Sequence, residues 1–218
     1  MYVSSGVVVG FHGCDGAIFE KVIKQGEHLS NSENDYDWLG HGKYFWEGSY
    51  ERALEWAKKS PKVENPAVVG AFIKLGNCID LLDTAHLQKV RSAYEILKSE
   101  CEELGHNLPQ NSSHIDGISL IRELDCKVML RLQQFNNELI AKELKIGLDD
   151  IHKGINKRKI QNHPQFIDSV RGMFPEGEEL YEGAGFRAKN HIQLCIINPN
   201  SIMGYFDPIQ HNSWYKRV

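Results

Sequence analysis

At 218 residues, with 41% hydrophobic and 25% charged residues, the chain has the makeup of an ordinary globular protein, long enough to bury about 70% of its unfolded surface. A formal net charge of −4 gives no global electrostatic reason to bind nucleic acid, and five scattered cysteines without a Cys-x-x-Cys pair argue against a disulfide framework and a zinc site. There is no basic n-region, and the apolar run Val7 to Val9 is too short for a signal sequence or a membrane span, so the expectation is a cytoplasmic protein that does not enter a membrane.

Val7-Val8-Val9-Gly10-Phe11 is β-branched and aromatic and predicts a buried first strand that delivers His12 at its end. Asp15 is placed to cap a helix in which Ile18, Phe19, Val22 and Ile23 fall at helical spacing and Gly26 supplies the stop. The polar run from Glu27 to Asp37 predicts a loop, Lys43 to Trp46 a short strand, and Ser49 the cap of a helix with Ala53, Leu54, Trp56 and Ala57 on its apolar side and Pro61 at its exit. Ala67 to Leu75 predicts a second buried strand and Cys78 to Leu82 a short extension.

From Ala85 to Glu103, Leu87, Val90, Ala93, Tyr94 and Leu97 keep a helical rhythm that Gly105 ends. His106 to Asp116 predicts a polar loop, and Leu120 to Ile140 a second helix. Between Ile146 and Gln165 the signal weakens around Gly147, Gly154 and Pro164, with a basic cluster at Lys153, Lys157, Arg158 and Lys159 that reads as a solvated loop or, alternatively, a phosphate-contacting patch. Strands are expected at Ile167 to Phe174, Asn190 to Ile197 and Ile202 to Phe206, with a glycine- and glutamate-rich turn at Pro175 to Gly185. Strands at both ends of the sequence with helices between them predict one α+β domain with a mainly helical insertion at about residues 83–165.

The least generic text runs from Asn34 to Trp46, Asn-Asp-Tyr-Asp-Trp-Leu-Gly-His-Gly-Lys-Tyr-Phe-Trp. Tyr36, Trp38, Tyr44, Phe45 and Trp46 surround a histidine and two glycines with no helical periodicity, so burial alone does not explain the composition. Gly40 and Gly42 allow close backbone approach to a ligand, and Tyr44 and Trp46 project to one side of an extended segment.

A strand carrying His12-Gly13, then Gly40 to Phe45 roughly thirty residues later, then a helix, resembles the NAD-binding half of the ADP-ribosyltransferase fold of the diphtheria-toxin and poly(ADP-ribose) polymerase type. The family's third signature residue, usually glutamate on a late strand running toward an Asn-Pro turn, falls on Gln193 in His191-Ile192-Gln193-Leu194-Cys195-Ile196-Ile197-Asn198-Pro199. The resemblance covers residues 7–57 and 186–206 and implies a split, mainly antiparallel sheet, NAD as co-substrate, and His12, Tyr44 and Gln193 as the catalytic triad. By the same resemblance His12 holds a ribose hydroxyl, the Gly13 backbone holds the carboxamide, Tyr44 stacks on nicotinamide, and the cofactor-binding set is His12, Gly13, Tyr36, Gly42, Tyr44 and Gln193.

Alternation puts Ile192, Leu194 and Ile196 on a core face and His191, Gln193 and Cys195 on a cleft face. Glutamine keeps a hydrogen bond but cannot act as a base, which puts chain elongation in doubt; Glu179 and Glu182, in the preceding loop, are the candidate replacement carboxylates.

The implied function is single ADP-ribose transfer to a protein or nucleic-acid acceptor, as a toxin, effector or phage-defence factor with an antitoxin or immunity partner. The alternatives are NAD hydrolysis and an inactive NAD- or ADP-ribose-binding or interaction module. RNA 2'-phosphotransferases share the fold, but the arginines their pattern requires are not located here. Trp38, Trp46 and Trp56 read as packing residues and Cys14 as an inert buried thiol, and His41 and His191 lack the spacing of a metal site.

Overall fold

The structure, a computed structural model, describes residues 6–115 and 118–208. The described chain is mixed α and β, with nine strands and five α-helices, and seven of the strands belong to a mostly antiparallel sheet. The contacts of the described residues divide them into two compact units: one takes residues 6–29, Phe45–Lys74 and residues 202–208, the other Ser30–Tyr44 and the described part of Leu75–Ser201. No helix among the described residues is long and apolar enough to cross a membrane.

In the first unit, strand β1 (Val7–Asp15) pairs antiparallel along its whole length with β3 (Pro66–Lys74), from Val7 opposite Lys74 to Asp15 opposite Pro66. On its other side β1 meets β2 (Lys43–Glu47) through Gly10 opposite Glu47 and Phe11 opposite Trp46, and β3 pairs antiparallel with β9 (Ile202–Phe206). The first strand therefore runs four residues past the end that β-propensity marks at Phe11, because His12 to Asp15 find ladder partners on β3.

Helix α1 (Gly16–Gln25) starts and stops where its sequence signals lie: Asp15 Oδ1 accepts from Ala17 N at 2.9 Å, and Gly26 closes the helix at φ +72°. Helix α2 (Tyr50–Lys59) follows Ser49, whose side chain makes no capping hydrogen bond, contrary to the sequence expectation. What seats α2 instead is close packing. A Cβ on Gly13 would lie 2.1 Å from the Ala53 carbonyl oxygen, and Ala53 and Ala57 are completely buried.

In the second unit, β4 (Cys78–Asp80) lies parallel to β7 (Ser169–Phe174), which pairs antiparallel with β8 (His191–Ile196), from Ser169 opposite Ile196 to Phe174 opposite His191. Helix α3 (Thr84–Glu103) is capped by Asp83, which accepts from Ala85 N at 2.7 Å, and is followed by Gly105 at φ +67°. Helix α4 (Glu123–Glu143) packs against it, and Arg131 joins the two helices through a forked ion pair with Glu100 at 2.8–3.1 Å.

Two expectations for this middle region are corrected. The predicted polar loop at His106 to Asp116 contains strand β5 (Asn111–Ile115), paired antiparallel with β6 (Ile118–Arg122), so the helix predicted from Leu120 begins three residues later. Cross-strand pairing overrides weak local propensity here, and Asn111 ties β5 to α4 by donating to Asp125 at 2.9 Å. The stretch of weak signal holds α5 (Gly154–Gln161), which carries Lys157, Arg158 and Lys159, with Ile160 buried on its inner side. Among the described residues, three α-helices, a short 3-10 helix at Leu148–Asp150 and the β5–β6 strand pair thus occupy the segment read as an insertion.

Candidate functional site

Gln193 sits in the middle of β8, opposite Gly172 of β7, and is half-buried. Its neighbours on alternate positions are not open. His191 and Cys195 are buried, Cys195 completely, so the face expected to form a cleft is covered there as well as on the Leu194 side. The cover is the Asp37 to Lys43 segment: the Cys195 thiol donates to the Gly40 carbonyl at 3.4 Å, and a Cβ on Gly42 would lie 2.6 Å from Cys195 Sγ. Burial and the nearby Asp37 push the Cys195 thiol pKa far up, so it stays protonated and unreactive.

The Gln193 amide is held at both ends. Trp38 Nε1 donates to Gln193 Oε1 at 2.7 Å, and Gln193 Nε2 lies 3.1 Å from His191 Nε2. On the other side of its ring, His191 Nδ1 lies 2.7 Å from the Lys189 carbonyl oxygen. Around this chain stands an aromatic cluster: Phe174 stacks on His191 with centroids 5.6 Å apart and contacts Trp38 at 5.4 Å. The Arg122 guanidinium lies over both rings, 4.7 Å from the Trp38 centroid and 4.6 Å from that of Phe174. Trp38 approaches β7 closely because position 172 is glycine, where a Cβ would be 2.7 Å from the indole.

The other expected site residues have distinct places. The Tyr44 hydroxyl donates to the Gly40 carbonyl at 2.9 Å and accepts from Leu39 N at 3.0 Å. Its ring is half-buried against the core, and burial raises its pKa well above the ordinary phenol value. Tyr44 is thus a turn-holding tyrosine in this structure. Gly42 exchanges both backbone hydrogen bonds with Ser32, at 2.7 and 3.1 Å. Tyr36 is exposed. Lys43 is buried and donates to Asn31 at 2.7 Å, and burial lowers its pKa.

His12 and Gly13 belong to the first unit. The His12 ring stands edge-on to Phe45 with centroids 5.8 Å apart, and the absent side chain of Gly13 is accounted for by α2. Cys14 is buried and its thiol pKa is pushed up to about 11 by burial and by Asp15, as suits an inert thiol. Trp38 and Trp46 are buried, and Trp56, though 47% exposed, packs its ring on Trp46 with centroids 5.9 Å apart.

Glu179 and Glu182 lie on an irregular hairpin between β7 and β8, bridged at Glu179 and Arg187, and both are exposed. Glu179 accepts from Gly183 N at 3.0 Å within the hairpin itself. Among the described residues no group of three His, Cys, Asp or Glu is arranged to hold a metal ion.

The arrangement at Gln193 can fix a polar ligand group by hydrogen bonding next to a flat aromatic surface and a guanidinium charge, but it contains no carboxylate base at that position. Arg122 and the Trp38–Gln193 hydrogen bond were not foreseeable from local sequence, because the partners are 71 and 155 residues from Gln193 and no motif links them.

Comparison with known proteins yields no matching family model and no matching solved structure. A curated relative, "Uncharacterized protein MJ0359" of Methanocaldococcus jannaschii, is 25% identical over 210 residues, covering 88% of this chain and 83% of that one.

Proposed function

We propose that this protein is an NAD-dependent mono-ADP-ribosyltransferase acting on a protein or nucleic-acid acceptor. The observation that carries the reading is Gln193, half-buried on a late strand and held by Trp38 and His191 in one orientation; the sequence resemblance is what matches it to the family's glutamate. The mixed α and β chain with a mostly antiparallel sheet is consistent with it.

In the proposed reaction the bond between nicotinamide and ribose C1' breaks with its electron pair leaving on nicotinamide. The acceptor nucleophile bonds to C1' and gives its proton to solvent. The oxocarbenium-like transition state gains from fixed acceptors near the developing charge, and the Gln193 amide oxygen is such an acceptor. His12 is assigned to a ribose hydroxyl and the Tyr44 ring to the nicotinamide face. Without a carboxylate at position 193 the acceptor must be nucleophilic enough to react without general-base help, which favours single transfer over chain elongation. The toxin, effector or defence setting, with an immunity partner, is analogy from the fold family.

The amide that cannot accept a proton also supports a second reading, a non-transferring NAD- or ADP-ribose-binding module. Nicotinamide release from NAD by the purified protein, with and without lysate as acceptor, separates the two. Transferase activity predicts release that falls at least about tenfold in Gln193→Ala and in Tyr44→Ala, with label appearing on a macromolecule. Release without label identifies a hydrolase. NAD binding without release identifies the binding module, and absence of NAD binding removes the family assignment.

A further inference from the structure

We infer that His191 is a positioning residue for Gln193, acting as the neutral Nδ1–H tautomer that accepts a hydrogen bond from the Gln193 amide nitrogen. Heavy-atom geometry and donor chemistry alone determine the protons. The indole Nε1 can only donate, so the Gln193 atom 2.7 Å from it is the amide oxygen. The atom turned to His191 is then the NH2 group, which can only donate, so His191 Nε2 is the acceptor at 3.1 Å. A carbonyl can only accept, so His191 Nδ1, 2.7 Å from the Lys189 oxygen, carries the ring proton. The relay runs in one direction, Trp38 to Gln193 to His191 to the Lys189 carbonyl, and uses one of the two N–H groups of the Gln193 amide.

His191 is buried and stacked on Phe174, which holds the plane of its ring beside Gln193. The relay also explains glutamine at position 193. A carboxylate there would still accept from Trp38 but would set a lone pair against the lone pair of His191 Nε2, unless the imidazole took up a proton. In wild-type protein the relay leaves Gln193 one N–H and one oxygen lone pair of fixed direction for a ligand. That consequence rests on the proposed ADP-ribosyl transfer, whereas the proton positions do not.

The test is the protonation state of His191 in the intact chain, read from long-range 1H–15N correlation spectra at pH 7.5, with its signals assigned by their loss in His191→Phe. The expected result is a protonated Nδ1 and an unprotonated Nε2 in wild type, and both nitrogens protonated in Gln193→Glu. A protonated Nε2 in wild type, or a His191 spectrum unchanged by Gln193→Glu, overturns the inference; if that variant does not fold, the wild-type tautomer alone decides. With nicotinamide release as a second readout, His191→Phe, which keeps the stacked ring, is expected to lower kcat about tenfold with KM changed less than about twofold. Unaltered kcat refutes the positioning role. Absence of release from wild type refutes the functional reading and leaves the tautomer result to stand by itself.

Discussion

Position 193 differs from its resemblance pattern by one atom, oxygen to NH2, and that atom is the donor the His191 ring nitrogen accepts. Trp38 supplies the other half of the clamp, so its indole nitrogen has a role beyond packing. Trp38→Phe keeps an aromatic ring beside Phe174 and Arg122 but removes the donor and part of the buried volume. We expect a loss of roughly 2 kcal/mol in urea-unfolding stability. Glycines separate by what surrounds them. At Gly42 a methyl would meet Cys195 Sγ at 2.6 Å and the Ile196 carbonyl oxygen at 2.7 Å, whereas at Gly204 nothing lies within 4 Å. Gly42→Ala is expected to cost about 1–3 kcal/mol and Gly204→Ala less than about 0.5 kcal/mol, measured by the same unfolding series.

At the scale of elements, one carboxylate organises the junction of β1, α1 and β3. Asp15 caps α1 through Oδ1 and receives Glu64 N and Asn65 N on Oδ2 at 2.8 and 2.9 Å. Those backbone hydrogen bonds, the one from Asn65 foremost, lower its pKa in the folded protein. A depressed carboxylate pKa means that the unfolded chain binds the proton more tightly. The contribution is therefore present above the unfolded value of about 4 and is lost as pH falls through the folded value. Urea midpoints measured from pH 7 to pH 2.5 should fall on the acid side, with a smaller fall below about pH 4 in Asp15→Asn.

The β5–β6 pair shows the limit of local reading at this scale. Asn111, Ser112 and Ser113 carry no apolar alternation, so the segment reads as loop.

Over the whole molecule, the five cysteines sort by environment. All are unpaired by disulfide; Cys14, Cys126 and Cys195 are buried, and Cys78 and Cys101 are half-buried. Burial raises the Cys14 and Cys126 thiol pKa values to about 11 and that of Cys195 further. Since the thiolate is the reactive form, titration with an aromatic disulfide reagent at pH 8 should modify at most Cys78 and Cys101 rapidly in native protein, and all five after denaturation. Rapid modification of a third thiol would contradict the burial described for the three.

The sequence by itself determined the elements whose signals are local. The cap at Asp15, the stops at Gly26 and Gly105, the helical rhythm of α3 and the β-branched runs of β1 and β3 each act within a few residues, so their text and their structure coincide. It also drew attention to Gln193 and to the segment around Tyr44. Tertiary structure alone decided what those residues touch. The strand face expected to be open is closed by residues 37–43, the Tyr44 hydroxyl is turned into its own loop, and Gln193 is clamped between an indole 155 residues away and a histidine two residues away. Period-2 alternation tells which side chains share a face, but whether that face meets solvent or another segment depends on packing between parts of the chain far apart in sequence.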